Sequence, residues 1–312
     1  MTKVSHEVPL DLLEQSRWFN DYDYALVHLF VDEYPEYYNF YKHSLQMGRE
    51  VLLDNSLYEL GEAFDMSKYA EWIEKLHPTY YIIPDKFWDS DGTIELANEW
   101  MKNYGNKLPK DIKRIGVAQG SSYQDIVYTY NYMDAICDKI AFTFKFHPDM
   151  IKIFRDNLTF DKLKMNHCYV RNKNVIKFNE DINDTDLQAL LRYVILKELD
   201  LSGVINKEKE HHLLGLQSTA FLKESCKFSW VTSIDTSNPI IYGYEGKKYE
   251  ESETDYEDIR TLHNGNCCIE KSKTTLKDLF EEKFEDRGKL YKNFQIIKYN
   301  VNEFKKILDT KS

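Results

Sequence analysis

The feature that most constrains this chain is an alternation. Short apolar or β-branched runs recur, and each is followed by a stretch with helical spacing. The runs are YALVHLF (24–30), VLLDNS (51–56), YYIIPD (80–85), RIGVAQG (114–120), KIAFTF (139–144), HHLLGLQ (211–217) and WVTSID (230–235). Between them lie segments such as MSKYAEWIEKLHP (66–78), where Tyr69, Trp72, Ile73 and Leu76 share one helical face, and DTDLQALLRYVILKELDL (184–201). Strands alternating with helices predict βα units and a parallel sheet. Seven such units in one chain of 312 residues suit an α/β fold of the TIM (β/α)8 type, which typically takes about 250 residues. An open doubly wound sheet is the alternative, but it calls for a glycine-rich phosphate loop after the first strand. VDEYPEY (31–37) has none. NFQIIKYN (293–300) reads as an eighth strand or a peripheral one. The organisation expected is a single barrel domain over 1–312, with a basic insertion at about 145–180 and a C-terminal extension at about 246–312.

Composition narrows the class. Hydrophobic residues at 42% and 23 tyrosines predict a packed core. No apolar run reaches 18 residues, so no membrane partner is expected. MTKVSHEVPLDLLEQ lacks the pattern of a signal peptide, which makes the cytoplasm (of a host cell, for a phage protein) the default location. Five scattered cysteines fit neither a disulfide framework nor a zinc site. The adjacent Cys267 and Cys268, near His263, are the one metal-like feature. The net charge of -11 disfavours a surface that attracts nucleic acid everywhere. From Lys139 to Lys177, however, nine Lys/Arg stand against three Asp. Lys145, Lys152, Arg155, Lys162, Lys164, Arg171 and Lys173 are therefore phosphate-binding candidates; by composition alone a solvated face is the stronger reading.

In a barrel of this kind, chemistry is carried at the C-terminal ends of the strands. Those ends read Asp54-Asn55, Asp85, Gln119-Gly120, Gly215-Leu216-Gln217 and Asp235-Thr236-Ser237. One aspartate at a strand end is commonly a turn or cap residue. Three that converge on one mouth form a polar site, where neighbouring carboxylates push each other's pKa apart. Asn55 either orients Asp54 or shapes the turn. Ser233, Thr236 and Ser237 either bond the Asp235 loop or satisfy its backbone. His147, His167, His211 and His212 match no ligand spacing and read as structural or surface residues, and Trp88 and Trp230 as packing residues.

Four of these ends, in order, carry a resemblance. DNSLY (54–58) resembles the first aspartate motif of the tRNA-guanine transglycosylase superfamily. GVAQGSSYQD (116–125), HLLGLQS (212–218) and SIDTSNP (233–239) are similar to its glutamine-glycine, glycine-strand and nucleophile motifs. The zinc-free phage and bacterial branch, which includes 7-deazaguanine DNA transglycosylases, is the most similar. The resemblance implies that Asp235 is a nucleophile toward C1′ of a guanosine nucleotide and that Asp54 is a general base. It implies that Asp85 accepts hydrogen bonds from the base, that Gln119 and Gly120 meet its O6 edge, and that Tyr58 and Leu214 sandwich it, beside Gly215. It implies no cofactor and no metal. The partners are DNA, with tRNA as the alternative, and a free 7-deazaguanine such as preQ0; an N-glycosidase of the same fold is a further alternative. The oligomeric state is left open. Ser56 and Leu57 replace the two glycines of the first motif, KIAFTFKF replaces a glycine-rich strand end, and the zinc motif is absent.

Overall fold

A computed structural model of the chain describes residues 2–157, 184–216, 219, 221–249 and 287–309. Eight parallel strands form a nearly closed barrel: β1 (Lys3–Ser5), β2 (Asp23–Leu26), β3 (Val51–Asp54), β4 (Tyr80–Ile82), β5 (Lys113–Val117), β6 (Lys139–Phe142), β7 (Glu210–Leu213) and β8 (Val231–Asp235). Their order is β1-β8-β7-β6-β5-β4-β3-β2, so from β2 to β8 each strand pairs with its neighbour in sequence and β8 returns to β1. Such strands are covered on both faces, which is why they read as apolar runs rather than as alternations. All four residues of β2, β3 and β6 are buried.

No ladder joins β1 to β2, and side chains close that seam. The Val4 N–H donates to Asp21 Oδ2 at 2.9 Å, and the Asp21 N–H donates back to the Val4 carbonyl at 2.9 Å. Asn20 does the same for His6, its Oδ1 accepting at 2.7 Å and its Nδ2 donating at 3.0 Å. Backbone groups that would otherwise be left unpaired are thereby satisfied.

The helices are α1 (Leu13–Ser16), α2 (Pro35–Gln46), α3 (Leu57–Leu60), α4 (Met66–Leu76), α5 (Ser90–Trp100), α6 (Tyr123–Ile136), α7 (Pro148–Asp156), α8 (Asp184–Leu201), α9 (Leu222–Cys226), α10 (Asn238–Tyr244) and α11 (Arg287–Asp309). Several start on side-chain caps that end the preceding loop. Asp65 accepts from the Lys68 N–H, Asp89 from Gly92 and Ser122 from Asp125.

Two expectations are corrected. The eighth strand is not NFQIIKYN but Lys3–Ser5, three residues too short to show a period. NFQIIKYN lies within α11, where Ile297, Val301, Phe304 and Leu308 are buried at helical spacing. This helix lies against α10 so closely that a Cβ on Gly243 would stand 2.5 Å from Ile297 Cγ1. The first run, 24–30, is also shorter than expected: β2 ends at Leu26 and Val27–Leu29 form a single 3-10 turn. Among the described residues no helix is long and apolar enough to cross a membrane.

Candidate active site

Each acidic strand end projects into the C-terminal mouth of the barrel. Asp54 closes β3 beside Leu26 of β2, and Asp235 closes β8 beside Ser5 of β1. Both are buried, as is Asp85 just beyond β4.

Asp54 accepts from the Tyr24 hydroxyl at 2.6 Å and from the Ser56 N–H. Burial raises its carboxyl well above the ordinary range and the charge of Glu59 adds to this, while the Tyr24 and Ser56 donors oppose it. Ser56, the position of a glycine in the resembling motif, stands in the left-handed region at φ 61. Its Oγ meets His28 Nδ1 at 2.8 Å, which supports a conformation that serine otherwise disfavours. Tyr24→Phe is expected to raise the Asp54 pKa further. An activity that starts from protonated Asp54 then persists to higher pH: its basic limb moves up by about one pH unit, the worth of one charge-assisted hydrogen bond, as a pH–rate profile of the variant will show.

Asp85 is held from two strands. Asn55 Nδ2 donates to Oδ1 at 2.7 Å and Gln119 Nε2 donates to Oδ2 at 2.8 Å. Burial lifts its carboxyl to about 6, and these two bonds hold back the rise. Asn55 thus orients Asp85, not Asp54. Gln119 is spent within the protein: its Oε1 accepts from the Trp88 N–H at 3.3 Å. Gly120 has a packing reason of its own, since a Cβ there would stand 2.7 Å from the Ile126 nitrogen at the start of α6.

Asp235 receives three groups. His212 Nε2 lies 2.9 Å from Oδ1, and the Gly215 N–H lies 3.0 Å from Oδ1 and 3.1 Å from Oδ2. The third is Glu7, a half-buried residue just past β1, which is hydrogen-bonded to Asp235. Burial, and then the charges of Asp235, Glu59 and Asp54, drive the Glu7 carboxyl well above its usual range. Gly215 has φ +59, and a Cβ there would stand 2.3 Å from the Phe144 ring. Buried Arg192 on α8 takes the Leu214 and Gly215 carbonyls at 3.2 and 2.9 Å, which turns the Gly215 N–H toward Asp235.

Glu7, Glu59, Tyr24 and His212 complete a site of which the motifs show only part. Glu7 escapes sequence reading because β1 does. His212 is inseparable there from His211, which packs instead between Tyr130, Phe142 and Trp230.

At the rim, Tyr58 is half exposed and its ring stands 5.2 Å from that of Phe144. Lys145 Nζ lies 5.4 to 5.6 Å from the ring centres of Tyr58, Phe87 and Trp88. Leu214 is half-buried on the β7 loop. Lys152 is exposed on α7, whereas Arg155 is paired with Asp184. Lys162, Lys164, Arg171 and Lys173 lie outside the described residues, as do His167, His263, Cys267 and Cys268. His147 caps α7, and Trp230 is buried. A cleft of about 830 Å³ opens beside Asp85, between the loop after α3 and the α5 face. Its acidic wall, with Glu62, Glu95 and Glu99, suits a neutral ligand better than a polyanion. Among the described residues no group of three His, Cys, Asp or Glu side chains is placed to hold a metal ion.

No protein-family model matches this chain, and a search of curated proteins finds no match to it.

Proposed function

We propose that the protein is a base-exchanging pentosyltransferase that replaces guanine in DNA with a 7-deazaguanine through an aspartyl-glycosyl intermediate. One observation supports this most: Asp54, Asp85 and Asp235 stand buried at one barrel mouth, each with different partners. Two carboxyl groups with divided roles are what glycosyl transfer with a covalent intermediate requires.

In the first step the Asp235 carboxylate attacks C1′. The C1′–N9 bond breaks, its electron pair goes to the base, and Asp54, whose carboxyl burial raises well above the ordinary range, supplies the proton that guanine takes away. In the second step the incoming 7-deazaguanine gives its N9 proton to Asp54. Its nitrogen then attacks C1′ and Asp235 leaves as a carboxylate. Asp85, locked by Asn55 and Gln119, accepts from the N1–H and 2-amino group. Tyr58 and Leu214 face the base plane, and Lys145 with Lys152 meets phosphates. With Gln119 engaged by Asp85 and Trp88, the O6 edge is left to the backbone around Gly120.

Asp85 must be ionised to accept two donors. Its pKa stands at about 6, so affinity for the free base is full above that pH and lost as pH falls through it. KM for the base, measured from pH 5 to 8, is expected to rise below pH 6; a flat profile removes Asp85 from base recognition.

The decisive experiment incubates the protein with DNA, or separately tRNA, and radiolabelled guanine or preQ0. Label entering DNA, and lost in Asp235→Ala and Asp54→Ala, supports the reading. Label entering tRNA alone moves the substrate. Guanine release without incorporation identifies an N-glycosidase.

A further inference from the structure

The barrel interior holds a row of polar side chains that the exchange steps above do not use. Lys139 opens β6 and Glu210 opens β7, at the end of the strands opposite the site. Lys139 Nζ pairs with Glu210 at 3.0 Å and lies 4.5 Å from the Tyr80 ring centre. It also reaches Ser233 Oγ at 3.4 Å. Ser233 Oγ stands 2.9 Å from His212 Nδ1, and His212 Nε2 stands 2.9 Å from Asp235 Oδ1. Lys139, Ser233, His212 and Asp235 are all buried.

Donor chemistry gives the row a direction. An ammonium can only donate, so Ser233 Oγ accepts from Lys139. At the other end the Asp235 carboxylate can only accept, so the ring hydrogen of His212 sits on Nε2 and points at it. In a neutral ring Nδ1 is then bare and takes the Ser233 hydroxyl hydrogen. With the hydrogen on Nδ1 instead, the Nε2 lone pair would face carboxylate lone pairs across 2.9 Å.

We propose that Lys139, Ser233 and His212 form a one-directional hydrogen-bond relay that fixes the Nε2–H tautomer of His212 and makes it a positioning residue for Asp235. The role in exchange rests on Asp235 being the nucleophile; the tautomer does not. Two donors, His212 Nε2–H and Gly215 N–H, converge on Oδ1. They keep the carboxylate oriented before attack and remain in place for it when it leaves as an anion in the second step. His212 gives up no proton in either step. The charged groups acting on the ring are Asp235, Lys139 and Arg192, and the Tyr22 and Tyr24 rings pack against it. Burial lowers its proton affinity, in line with a neutral ring.

The test is nitrogen-15 NMR of the histidine rings in the full chain at pH 7, with the His212 signal identified by its absence in His212→Gln. The expected spectrum has a protonated Nε2 and a bare Nδ1, and Ser233→Ala or Lys139→Met shifts the Nδ1 resonance. An imidazolium, the Nδ1–H tautomer, or indifference to both variants overturns the relay. In base exchange, His212→Gln retains a donor near the Nε2 position and is expected to stay within about tenfold of wild type. His212→Leu is expected to lose about a hundredfold in kcat with KM unchanged. Equal losses in the two overturn the positioning role. An Nε2–H ring in a protein without base exchange keeps the relay and sinks the transglycosylase reading instead, so the two failures are separate.

Discussion

Asp235→Asn is expected to abolish base exchange while leaving the barrel folded. The amide keeps the shape of the side chain and an oxygen for the Gly215 N–H, but it cannot attack C1′. Loss of a nucleophile costs on the order of 10³-fold or more in kcat. The same change removes one carboxyl from a crowded mouth, where the charge of Glu59 raises the Asp54 and Glu7 carboxyls and that of Asp235 raises Glu7. Repulsion declines, so the melting temperature is expected to hold or rise. Exchange assays and thermal unfolding on one preparation check both halves. Exchange within tenfold of wild type removes Asp235 from the role of nucleophile; lost exchange with a collapsed melting temperature points to a folding role.

Gly215→Ala has the largest expected effect on structure at the site. The residue sits at φ +59, where an L side chain is strained by about 1–2 kcal/mol. A Cβ would also meet Phe144 Cδ1 at 2.3 Å and Cε1 at 2.5 Å. Overpacking of this kind costs about 1–3 kcal/mol more. Phe144 can yield only by leaving Tyr58, its neighbour at the rim. The backbone can yield only by pulling the Gly215 N–H off Asp235 and its carbonyl off Arg192. Either route damages the site, so the variant is expected to lose both stability and exchange. The measurements are the unfolding midpoint and kcat. A variant with unchanged stability shows that the loop after β7 is looser than the Arg192 clamp implies.

The parallel α/β barrel was legible because strands buried on both faces are rich in apolar and β-branched residues, and seven of eight lie in runs that announce themselves that way. The eighth did not. Lys3–Ser5 has one exposed residue, one apolar residue and one polar residue, and its strand character comes from pairing with β8. With β1 went Glu7, although its carboxyl is hydrogen-bonded to Asp235. The Ile-Ile pair of residues 296–297 has a β-like local composition, and only packing against α10 decides for a helix.

At the site, the chain order alone determined which acids end strands, because a strand end is a local property. Asp54, Asp85 and Asp235 could be named on that ground, and so could the loop glycines. What each acid touches is a matter of residues far apart in sequence. Asn55 was adjacent to Asp54 yet serves Asp85, 30 residues away. Gln119, expected to face a base, is drawn onto Asp85 by the curvature that brings β4 and β5 together. His211 and His212 are indistinguishable as neighbours in the chain. Strand pleat sends one outward into the Tyr130 and Trp230 packing and the other inward to Asp235. Residue types and strand ends were thus readable in one dimension, whereas protonation, partners and roles were set by barrel closure. Closure removes the mouth from water and leaves its carboxyls only one another and a few fixed donors to share charge with.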